Sequence, residues 1–81
     1  MKIGKVIGTV VSTRKDEALV GFKLLVIEAE EAGERLVAID TVGAGVGERV
    51  LVTTGSAARV TLSVHAPVDA TVVGIIDTVN L

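Results

Sequence analysis

The stretch that most constrains this chain runs from Asp40 to Gly55 and reads D-T-V-G-A-G-V-G-E-R-V-L-V-T-T-G. Glycines at alternate positions (Gly43, Gly45 and Gly47) precede an apolar run, Val50-Leu51-Val52. Lacking Cβ, the glycines allow a sharp turn or a close approach, because positive φ is open to them. The β-branched run states that the chain leaves the turn as a strand. A dinucleotide cradle would need G-x-G-x-x-G opening a helix. Here the third glycine comes one position early, Glu48 stands where it belongs, and Arg49-Val50-Leu51-Val52-Thr53 favours a strand. No Gly-Lys-Ser/Thr phosphate loop is present either. The stretch reads as a glycine-rich connection between two strands of a small β domain.

The rest of the chain fits that scale. Residues 3–13 predict a long first strand, with Gly4 and Gly8 at bends of a curled sheet. Arg14 to Glu17 is a charged loop, and residues 19–29 predict the second strand, with a bulge at Gly21. The acidic connection 28–34 carries four carboxylates but lacks the alternating oxygen ligands of a calcium loop, so a solvated hairpin tip is expected and no metal. Residues 35–40 and 49–54 predict strands three and four. Ser56 is the expected N-cap of one short helical turn, the only helical candidate. Val60 to Ala66 reads as either an extended segment or a loop, closed by Pro67, and residues 70–79 predict the last strand, with Gly74 at its centre. Five strands with glycines inside them and one helical turn imply an all-β protein, a small five-stranded OB-like barrel spanning 1–81 as one domain. Closure removes the sheet edges that so many Val and Ile residues would otherwise expose.

Composition limits what such a barrel does. A chain of 81 residues buries only roughly 60% of its unfolded surface. With 49% of residues apolar, part of that apolar surface is expected between subunits. The chain has no cysteine and therefore no disulfide or thiolate site. Its N-terminus lacks a signal-peptide core and no apolar run reaches spanning length, so a cytoplasmic protein without a membrane partner is expected. OB-type barrels that bind nucleic acid use aromatics in a basic groove, whereas this chain has Phe22 alone and a net charge of −2. Catalysis finds no better footing. Ser56, His65 and Asp69 can be drawn as a triad, but no nucleophile elbow accompanies them. His65 reads as a surface or interface residue. Asp40, Asp69 and Asp77 read as strand-end acceptors of hydrogen bonds. No cofactor is expected.

Five segments then bear a resemblance: M-K-I-G-K-V-I-G-T-V-V-S-T at 1–13, G-F-K-L-L-V-I at 21–27, V-A-I-D-T-V-G-A-G-V-G-E-R-V-L-V at 37–52, G-S-A-A-R at 55–59 and V-D-A-T-V-V-G-I-I-D at 68–77. In this order and spacing the chain resembles the EutN/CcmL family, the vertex proteins of bacterial microcompartment shells, carboxysomes included. The resemblance implies a homopentamer of barrels that caps fivefold vertices of a shell otherwise tiled by hexameric proteins, and a non-enzymatic role. Ala57 stands where the family often has a second serine, and the 28–34 connection is short. On this reading Gly43, Ala44, Gly45 and Gly47, together with Gly55, Ser56 and Arg59, form subunit-interface or pore loops, with Arg59 offered to a carboxylate across the interface. Either loop can line the central opening. Gly45 is expected at positive φ or against a neighbour. The alternative is a stand-alone OB-like barrel binding a small ligand or nucleic acid; a third reading is a small enzyme subunit.

Overall fold

A computed structural model describes residues 1–60, 62 and 66–81. Its five strands are β1 (Lys2–Val10), β2 (Lys23–Ala29), β3 (Arg35–Asp40), β4 (Arg49–Thr54) and β5 (Ala70–Ile75). They close into a barrel in the order β1-β2-β3-β5-β4. All neighbours are antiparallel except β3 and β5, which run parallel through a short seam, Ile39 against Thr71 and Asp40 against Val72. The OB-like barrel expected from the strand count is the fold observed.

The pleat explains the closure. Val6, Leu25, Ile27, Val50, Val52 and Val72 point inward and are fully buried, with Ala38, Ala44 and Ala70 completing the core. Every second residue of β2 is buried (Leu25, Ile27, Ala29), the period-2 signature of a strand with one face on a core. Gly4 serves as the close approach between strands: a Cβ there would lie 2.5 Å from Ile27 Cγ2 and 2.8 Å from the Glu28 carbonyl oxygen. The tight curl comes from two register shifts, one between Val6 and Gly8 and one opposite Leu51/Val52. Such bulges bend a strand and raise its twist.

Several boundaries differ from the sequence expectation. The first strand ends at Val10 and the second starts at Lys23, because residues 17–19 form a 3-10 turn instead. Asp16 caps that turn, its Oδ1 accepting the Ala18 N–H at 2.9 Å. A second helical turn therefore exists where only one was expected. Gly21 is not a bulge; it lies in the turn before β2 with φ +91°, and the bulge of this strand pair sits at Ile7. Ser56 is not an N-cap. The 3-10 turn Gly55–Arg59 starts one residue earlier, with Thr54 extended at the cap position and contributing no side-chain bond. Gly55 makes the corner at φ +69°, and the Asp69 carbonyl takes its N–H at 2.8 Å. The fifth strand stops at Ile75, four residues short of expectation. Val60 and Leu62 close the Gly55–Arg59 turn by donating to Ala57 and Arg59 carbonyls, whereas His65 lies outside the described residues.

A small second cluster lies on the outside of the barrel. Ile39, Ala66 and Val68 are buried there beneath Ala18, Leu19, Phe22, Leu24 and Leu62. The two long connections, 11–22 and 55–69, are thus fastened to the wall by their own apolar residues, and Phe22 belongs to that packing.

Candidate functional site

The connection from β3 to β4, residues 41–48, is organised by Asp40. Its side chain is nearly buried, and Oδ1 accepts the N–H groups of Val42 at 3.1 Å and Gly43 at 3.2 Å. Asp after a strand and ahead of glycine favours this local closure, since a short carboxylate reaches the backbone two and three residues on. Oδ2 lies 3.5 Å from Lys23 Nζ, and the same ammonium donates to the Ala44 carbonyl. Lys23 thus ties β2 to the loop. At the far end Glu48 Oε1 accepts the Gly45 N–H at 2.7 Å, Gly47 donates to the Val6 carbonyl at 2.8 Å, and Val6 donates to the Glu48 carbonyl at 3.0 Å. These last two bonds extend the β1–β4 ladder into the loop.

The loop glycines divide by conformation. Gly43 and Gly47 take φ of +83° and +94°, the left-handed region where a side chain is strained. Gly45 does not: its φ is outside that region, and a Cβ there would make an ordinary 3.5 Å contact with Glu48 Oε1. Within the protomer Gly45 is not required by backbone strain. The Ala44 methyl is fully buried in the barrel core, so its side chain closes the barrel end. Val42 and Val46 point outward, 42% and 62% exposed.

The Gly55–Arg59 turn sits at the other end of β4, roughly 17–20 Å away at the rise of a six-residue strand. No hydrogen bond or ion pair among the described residues joins it to the glycine loop. Ala58 is buried beneath it, and the Ala58 carbonyl accepts the hydroxyl of the fully buried Thr71 at 2.6 Å. Gly55, Ser56 and Ala57 are exposed, and Arg59 Nη1 donates to the Val68 carbonyl at 3.2 Å. One of the five guanidinium donors is therefore used inside the protomer.

A third charged cluster surrounds the barrel end near the β2–β3 turn. Arg49 and Glu30 form a two-point pair, Nη2 to Oε2 at 2.8 Å with Nε on the other oxygen, and Lys2 meets Glu34 at 3.3 Å. The Arg49 hydrogen bond, ahead of the opposing desolvation and the added Coulomb attraction, holds the Glu30 carboxyl below its ordinary value; the same pair raises Arg49. Among the described residues no three acidic, histidine or cysteine side chains gather in a metal-binding group. The concave surface beside the glycine loop is lined by Phe22, Lys23, Asp40, Thr41 and Leu62, and among the described residues its charged groups are the already paired Lys23 and Asp40. Sequence reasoning missed that pair. The spacing of Asp40 with glycine three residues on signals the local turn, but the Lys23 partner follows only from the pairing of β2 with β3.

Residues 1–77 match the family model described as ethanolamine utilisation protein EutN/carboxysome. The chain is similar to the bacterial microcompartment shell vertex protein GrpN of Rhodospirillum rubrum, 53% identical over 86 residues that cover 99% of this chain and 97% of GrpN. It is 54% identical over 87 residues to the carboxysome shell vertex protein CcmL of Synechococcus elongatus, covering 100% of this chain and 88% of that one. The solved structure of GrpN, a pentameric microcompartment shell protein, superposes with a TM-score of 0.89 at 52% identity, covering 100% of this chain and 98% of GrpN. The helices of the described residues are all too short to cross a membrane. A match over nearly the whole length in both sequence and barrel geometry permits one assignment: the chain belongs to the EutN/CcmL family.

Proposed function

We propose that this protein forms homopentamers that cap the fivefold vertices of a bacterial microcompartment shell in the cytoplasm, beside hexameric wall proteins, and that it performs no chemistry. The observation that carries this reading is the full-length likeness to GrpN, a pentameric shell protein, at 52% identity and a TM-score of 0.89. A flat lattice of hexagonal units closes into a polyhedron only when fivefold units occupy its corners, so symmetry itself supplies the function. The barrel suits that task. Its strands pair into a closed ring, so contacts between copies are made by loops and outer faces. A cyclic ring joins two different patches of each subunit.

The loop containing Gly43, Ala44, Gly45 and Gly47 and the turn containing Gly55, Ser56 and Arg59 are the proposed contact and pore loops. Ala44 contributes backbone alone, because its methyl belongs to the core. Arg59 keeps its bond to Val68 and directs other donors at a neighbour's carboxylate. The stand-alone binding barrel is disfavoured because Phe22, the sole aromatic, packs into the outer cluster rather than forming a stacking platform.

The test is co-expression of the wall proteins with and without this chain. Particle shape is read by electron microscopy and retention of an encapsulated small molecule by release rate. Open or elongated, leaky particles in its absence are expected. Closed and equally tight particles, with no other vertex protein present, would contradict the proposal.

A further inference from the structure

Residues 77–81 leave the barrel without a hydrogen bond to it among the described residues. The last backbone bond to the wall is Ile76 N–H to the Arg49 carbonyl at 2.8 Å; beyond it none of the hydrogen bonds or ion pairs among the described residues involves the segment. The chain bends at Asp77 after β5, and in the sequence I-I-D-T-V-N-L the residues Asp77, Val79 and Leu81 alternate with Thr78 and Asn80. Ile75, Asp77, Val79 and Leu81 are exposed, Val79 by 43%. Ile75 belongs to the β5 ladder and Val79 is partly covered by its own chain, yet both keep a large apolar surface in solvent.

The outer wall of β1, β2 and β3 carries a surface of matching pattern. In register across the three strands lies a charged row, Lys5–Glu28–Arg35. Two residues further along each of β2 and β3 lies an apolar row, Gly8–Val26–Val37, with Val37 51% exposed. The next row, Val10–Leu24–Ile39, is the one roofed by the outer cluster, which leaves the Gly8–Val26–Val37 row as an uncovered shelf. Glu28 is paired with Arg35 at 3.1 Å, whereas Lys5 makes no ion pair among the described residues, so the charged row is net positive.

We propose that residues 77–81 form an arm that packs on this shelf of a second copy of the chain. Successive same-face residues of a strand are about 7 Å apart, on the arm and on the shelf alike. Asp77 therefore meets the Lys5–Arg35 row while Val79 seats on Val26 and Val37. The opposite charges set the direction and the apolar residues supply the burial. Arm and shelf are different patches, as a heterologous ring contact requires. The proposal rests on the fivefold reading above and names a contact of that ring.

The absence of cysteine makes a direct test available. Val37→Cys and Val79→Cys are combined in one chain and treated with a short bis-maleimide, whose span tolerates a register offset of one residue. A covalent ladder reaching five subunits is expected on a denaturing gel, with each single variant giving no ladder. A protomer linked only to itself, or no linkage in a preparation that sediments as a pentamer, overturns the arm contact and leaves the fivefold reading intact. A wild-type chain that sediments as a monomer overturns both. As an independent measure, Asp77→Lys should raise the concentration at which the ring dissociates at least tenfold, and adding Lys5→Glu should restore it; no change in either variant counts against the proposal.

Discussion

The glycine loop and the 77–81 arm are both exposed and both carry outward valines, yet they are held in opposite ways. The loop is shaped from within: the Asp40 carboxylate, the Lys23 ammonium, the Glu48 carboxylate and two bonds to Val6 fix residues 42–48. Among the described residues the arm has no such bonds beyond Ile76. A loop satisfied by its own chain arrives at an interface already shaped and loses little conformational entropy there. In the proposed ring, an arm without internal hydrogen bonds becomes ordered by what it docks on, and its effect then belongs to assembly rather than to folding. In that proposed ring the same protomer thus offers one rigid and one adaptable contact.

Substitutions separate the two, beginning with the largest effect. Asp40→Ala removes the acceptor of two loop N–H groups and the partner of Lys23, all on a buried carboxylate. A loss of about 3 kcal/mol in denaturant unfolding is expected; an unchanged midpoint would show that the loop shapes itself without Asp40. Gly47→Val forces a β-branched residue to φ +94° and should cost roughly 1–3 kcal/mol in the same assay. Gly45→Val sharpens the contrast. Its φ is ordinary and its Cβ has room, so protomer stability should change by less than about 1 kcal/mol. If ring assembly nevertheless fails in that variant, the valine is meeting a neighbouring subunit. Val79→Ser should leave thermal unfolding of the protomer within about 0.5 kcal/mol of wild type, because it is an exposed residue beyond the last strand.

The smallest effect is electrostatic. In the folded chain the Arg49 hydrogen bond depresses the Glu30 pKa, so the pair's contribution is present above the ordinary glutamate range and is lost as pH falls through the depressed value. Melting curves of wild type and Glu30→Gln should therefore separate toward neutral pH and converge in acid. The separation should shrink in high salt, as the pair is half exposed. A separation that persists unchanged in acid would place the effect elsewhere.

The sequence made the barrel legible because alternation and glycine punctuation are local signals: β3 and β4 fall where residues 35–40 and 49–54 placed them. The outer cluster was hidden because it is non-local. Nothing in Leu19 or Phe22 alone announces that they cover Ile39 and Val68, so residues 19–22 read as strand when they are a turn and its anchor. The glycine loop was recognised as a turn, but its shape depends on Lys23, a residue 17 positions before Asp40 and visible as a partner only once β2 pairs with β3. Gly45 shows the opposite error. Spacing grouped it with Gly43 and Gly47, and the backbone distinguishes it from both.

The most direct test of the account is native mass spectrometry of the unmodified chain at micromolar concentration in near-physiological salt. The account predicts a dominant species of five times the 8.3 kDa protomer. A spectrum dominated by the monomer, with the barrel shown intact by circular dichroism, would contradict it.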